Sequence, residues 1–105
     1  MQGPGKLTQL HENVRYMVTG LRKLGYDIEV ETAIIPILIP ESIKIPSVIK
    51  RFHEEGIFVN GVEYPAVARD KQRLRVSMMA TLTREDLDYA LGVFEKLGKE
   101  FGILS

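Results

Sequence analysis

Arg73 and Arg75 flank a single leucine in the run Arg73-Leu74-Arg75-Val76-Ser77, and they are the side chains here best suited to chemistry. In an extended segment side chains alternate between faces, so both arginines fall on one face and Leu74 and Val76 on the other. A guanidinium offers planar, paired donors that match a carboxylate or a phosphate two bonds at a time. The same spacing also describes the solvated face of an ordinary amphipathic strand, and the pattern alone leaves both readings open. Arg75, with Arg73 as its rival, is the functional candidate.

Other chemistry-bearing residues have simpler accounts. His11 and His53 fall on expected helices beside acidic neighbours, and neither has a second ligand at metal spacing. Glu54 and Glu55 close a helix before Gly56 and read as a solvated pair. Glu85 and Asp86 suit the positive end of a helix, which accounts for them. Met78 and Met79 read as a core residue and its neighbour. The glycine-rich phosphate loops and the nucleophile elbow are missing. By residue type alone the chain has no convincing nucleophile, base or cofactor cradle.

Composition narrows the classes further. At 105 residues the chain is one small domain with a single core. Fourteen basic residues balance fourteen acidic ones, so no net field draws it to nucleic acid or to an anionic membrane. Cysteine is absent, which removes disulfides, thiolate metal sites and a cysteine nucleophile, and fits a reducing, cytoplasmic setting. The longest apolar run, Ala33 to Ile39, is strand-sized and interrupted by Pro36, so no membrane span is expected. Residues 1–5 read as a junction or linker remnant and 6–105 as the domain.

The elements that must position the arginines follow from periodicity. Leu7, Leu10, Val14, Met17, Val18 and Leu21 recur at three- and four-residue steps, a helix over 6–24 that Gly25 stops. A half-exposed strand or strand entry is expected over 28–32, then the β-branched run 33–39, with Pro36 marking a sheet edge or bulge. Ile45, Val48, Ile49 and Phe52 set a helix within 41–55. Pro46 requires that helix to start near Ile45 or to kink, and Gly56 ends it. A short strand at 57–59, a turn at Asn60-Gly61, a loop over 64–70 and a strand over 73–79 complete the sheet. Thr83 and Asp86 form a capping box for the last helix, with Leu87, Ala90, Leu91, Phe94, Leu97 and Phe101 as its buried stripe and Gly102 as its stop. This order gives an α+β fold in which helices cover one face of a small, mostly antiparallel sheet.

Several linked segments, taken in order, carry a resemblance. They are Leu21-Arg22-Lys23-Leu24-Gly25-Tyr26, the run from Ile34 to Ile39, Glu54-Glu55-Gly56-Ile57-Phe58-Val59, Tyr64-Pro65-Ala66-Val67, the Arg73–Ser77 strand and Ala80-Thr81-Leu82-Thr83-Arg84-Glu85-Asp86-Leu87. Together the chain resembles the C-terminal small domain of the α-oxoamine synthases, pyridoxal-phosphate enzymes of the aspartate-aminotransferase fold. These include 8-amino-7-oxononanoate synthase, 2-amino-3-ketobutyrate CoA ligase and serine palmitoyltransferase. The closing segment from Phe94 to Leu104 looks nearest to the ligase and palmitoyltransferase ends, with 8-amino-7-oxononanoate synthase nearly as close a resemblance.

The resemblance implies an acyltransferase that condenses an amino acid with an acyl-CoA, the cofactor acting as electron sink. It places the substrate carboxylate on the arginine matching Arg75. It assigns pyridoxal phosphate and its Schiff-base lysine to a large domain outside these residues, so no catalytic or cofactor residue is expected here and the domain alone is expected to be inactive. The intact enzyme is expected to be a homodimer. Two positions depart from the pattern: Leu82 stands where histidine is usual, and Ala66 where a hydroxyl residue is common. The alternative is a free-standing module that binds a small carboxylate or regulates a partner without catalysis.

Overall fold

In the computed structural model, which describes residues 4–104, the chain runs α1 (Pro4–Leu24), β1 (Ile34–Leu38), α2 (Ile45–Glu54), β2 (Asn60–Val62), β3 (Arg73–Ser77) and α3 (Arg84–Glu100). A single 3-10 turn, Arg69–Lys71, leads into β3. The three strands pair antiparallel in the order β1-β3-β2, so the arginine strand is central. Helices cover one face, as the pattern implied. Ile35 and Ile37 of β1 and Leu74 and Val76 of β3 point into a core shared with Val14, Met17, Val18 and Leu21 of α1, with Val48 and Phe52 of α2 and with Phe94 and Leu97 of α3. Among the described residues no helix is long and apolar enough to cross a membrane.

Helix ends are set locally. Thr83 Oγ1 accepts from the Asp86 amide at 3.1 Å while Asp86 Oδ2 accepts from the Thr83 amide at 2.9 Å, the reciprocal capping box. Gly25 and Gly56 close α1 and α2 at φ of 116° and 85°, backbone that costs a side-chain-bearing residue energy. Pro46 sits in the first turn of α2, where its missing N–H would have had no helical partner, so the helix starts at Ile45 unkinked. The start of α1 at Pro4 takes in two of the five residues read as a remnant, and residues 1–3 lie outside those described.

Pro36 shows why β1 is an edge. The Met78 amide donates to Ala33 O at 2.7 Å and the Ile39 amide to Gln72 O at 3.1 Å. These bonds fix the inward-bonding positions of β1 at alternate residues and turn the nitrogen of Pro36 outward, away from β3.

Four expected elements are corrected. Residues 28–32 form no strand: the Arg22 guanidinium takes Ile28 O with Nε at 3.1 Å and Nη2 at 2.8 Å, and Glu29 to Thr32 are exposed. The short strand at 57–59 is displaced to Asn60–Val62, because the Ile57 amide is committed to Phe52 O at 2.9 Å in closing α2. Asn60-Gly61 is therefore strand and not turn. Gly61 has no positive φ; it is small because a Cβ there would meet Cγ2 of Ile45 and come within 3.0 Å of Cδ1 of Ile49 on α2. The arginine strand also ends at Ser77, two residues before the expected Met79.

Candidate functional site

The outer face of the sheet carries the candidate. Cross-strand partners share a face, and register sets Pro36 and Asn60 opposite Arg75, and Leu38 and Val62 opposite Arg73. Arg73 and Arg75 rise from the centre of this face, Arg73 half-buried and Arg75 exposed. With Ile34, Pro36, Val62 and Val67 they line a depression of about 320 Å³. Two cations thus stand in a shallow depression with apolar side chains on either side.

The two differ in tethering. Arg73 Nε donates to Lys71 O at 3.1 Å, which fixes the plane of its guanidinium. Among the described residues Arg75 makes no side-chain hydrogen bond, and neither arginine forms an ion pair.

Two buried polar side chains pin the strand at its ends. Gln72 Nε2 reaches Pro40 O and Ile43 O, each at 2.7 Å, tying the entry of β3 to the β1–α2 connection. Asn13 of α1 donates through Nδ2 to Met79 O at 2.9 Å and Leu82 O at 3.1 Å, holding the exit, and accepts from Gln9 at 2.9 Å. No sequence motif marks Asn13 or Gln72. The available signal was a lone amide beside Val14 on an otherwise apolar helix stripe.

His11 and His53 are exposed, and among the described residues no cluster of three metal-type ligands exists. His53 lies against the Phe58 ring, centroids 5.1 Å apart. Ala66 is exposed in its loop, whereas Leu82 packs partly against the core. The reading of Glu54 and Glu55 as merely solvated is corrected. Arg51 bonds Glu54 at 3.0 Å, Lys96 bonds Glu55 at 3.0 Å, and Arg51 grips Glu100 through two bonds of 2.7 and 3.0 Å. Hydrogen bonding from Lys96 holds the Glu55 carboxyl below its usual range, and hydrogen bonding from Arg51 does the same to Glu100.

Pyridoxal phosphate, which the resemblance implies, requires a lysine amine set in an enclosed cradle. Lys23, Lys44, Lys50, Lys71, Lys96 and Lys99 are all exposed, and none lines the arginine depression. The described residues do not by themselves fit the cofactor.

No family model matches the chain. It is 39% identical over 104 residues to 8-amino-7-oxononanoate synthase of Symbiobacterium thermophilum, a match covering 98% of this chain and 26% of that protein. It is also 39% identical over 102 residues to the 8-amino-7-oxononanoate synthase/2-amino-3-ketobutyrate coenzyme A ligase of Thermus thermophilus, covering 96% and 26%. Among solved structures, the serine palmitoyltransferase of Sphingomonas wittichii superposes with a TM-score of 0.85 at 29% identity, covering 97% of this chain and 26% of that one. A serine palmitoyltransferase from S. paucimobilis with bound PLP superposes at 0.81 and 24% identity, a likeness of fold alone. The chain spans about a quarter of the length of the curated relatives it matches.

Proposed function

We propose, for a chain that corresponds to the C-terminal region of the 8-amino-7-oxononanoate synthase and serine palmitoyltransferase family, that it supplies the carboxylate-binding face of a pyridoxal-phosphate acyltransferase. The intact enzyme would condense an amino acid with an acyl-CoA, as a homodimer, with cofactor and Schiff-base lysine held by the large domain. The single observation that carries the reading is Arg75, central on the sheet face left open by the helices and without an internal partner among the described residues.

Arg75 does one thing in this scheme. Its fork takes the two carboxylate oxygens of the amino acid and so fixes the rotation of the substrate about its Cα. Gln72 and Asn13 set the height and direction of β3, so the guanidinium is presented by a strand fastened at both ends.

The test is Arg75→Lys in the full-length enzyme. A point charge cannot reproduce the planar pair of bonds, so KM for the amino acid should rise about ten-fold or more while KM for the acyl donor moves little. An equal loss for both substrates would remove the role. An intact natural protein without a lysine-bearing large domain would support the non-catalytic carboxylate module instead.

A further inference from the structure

We infer that Arg73 is a second anion-binding residue, and that the depression it shares with Arg75 takes a ligand carrying two carboxylates. The inference rests on the reading of Arg75 as a carboxylate site and names the substrate class that site prefers.

Four observations carry it. The two residues are separated by one position on the same strand, so their side chains leave the same face roughly 7 Å apart. Both line one depression. Among the described residues neither has an acidic partner, so two like charges stand side by side uncompensated. Finally, the Arg73 Nε bond to Lys71 O fixes that guanidinium while its terminal nitrogens stay available, which lowers the entropy lost when an anion docks.

The apolar walls fit the methylene chain between two carboxylates. Ile34 and Pro36 border it on the β1 side, and Val62 and Val67 on the other. A monocarboxylate would engage Arg75 and leave Arg73 unpaired. A dicarboxylate of matching length neutralises both.

Adipate and hexanoate test this, since they share chain length and differ by one carboxylate. Binding to the full-length protein is followed by calorimetry for wild type, Arg73→Gln and Arg75→Gln, with thermal unfolding of each to establish that it is folded. Wild type should bind adipate about ten-fold more tightly than hexanoate. Arg73→Gln should abolish that preference, weakening adipate much more than hexanoate, and Arg75→Gln should weaken both. Arg73→Lys, which keeps the charge, should restore part of the preference.

Equal wild-type affinities, with hexanoate binding lost in Arg75→Gln, would overturn the role of Arg73 and leave that of Arg75 standing. A preference for adipate that survives in folded Arg73→Gln would overturn it as well. Binding of neither acid would sink the carboxylate reading of Arg75 and this inference with it.

Discussion

At the scale of single residues, spacing was enough to put two guanidinium groups on one face, because strand alternation needs no tertiary information. It could not say that Arg73 is tied to Lys71 O while Arg75 makes no side-chain hydrogen bond among the described residues, since that depends on the 3-10 turn that delivers the chain into β3. Asn13 shows the same limit. Its amide holds Met79 O and Leu82 O, residues more than sixty positions away in sequence. Asn13→Leu would leave those carbonyls without their donor in a site where the side chain is 4% exposed. The substitution should cost about 1–3 kcal/mol in urea unfolding. Unchanged stability would mean that water takes over both bonds.

At the scale of elements, local chemistry fixed the ends of the helices well. The capping box at Thr83 and the glycine stops are short-range devices that any packing must respect. Thr83→Ala should therefore lower stability by about 1 kcal/mol, with little change in the folded structure. Strand limits were less legible. Asn60-Gly61 carries the residue types of a tight turn, yet it pairs with Leu74 and Arg75, because α2 approaches β2 too closely for any side chain at 61. Gly61→Ala tests that account: the added methyl should overpack against Ile45 and Ile49 and cost about 1–3 kcal/mol by chemical denaturation. A neutral or stabilising outcome would show that Ile45 and Ile49 yield to the added methyl and that their approach does not restrict position 61.

At the scale of the whole molecule, Arg51, Glu54, Glu55, Lys96 and Glu100 tie the end of α2 to α3 across the surface. Such pairs contribute little singly, and more when bidentate and networked. The carboxyls of Glu55 and Glu100 titrate lower in the folded chain than in the unfolded one. Their contribution is thus present in full above the ordinary carboxylate range and is lost as pH falls through the depressed folded values. Arg51→Met should lower the melting temperature at pH 6, and the gap to wild type should narrow as the pH is taken towards 3. A constant gap across that range would show that Arg51 acts by packing alone. What the sequence settled by itself was the α+β class, the helix ends, the apolar stripes and the shared face of Arg73 and Arg75, all consequences of periodicity and short-range backbone chemistry. Tertiary structure decided the register that centres β3 between β1 and β2. It also decided the clamps from Asn13 and Gln72, the ion network, and the concavity around the arginines. Those depend on which distant segments meet, and no pattern within one segment encodes that meeting.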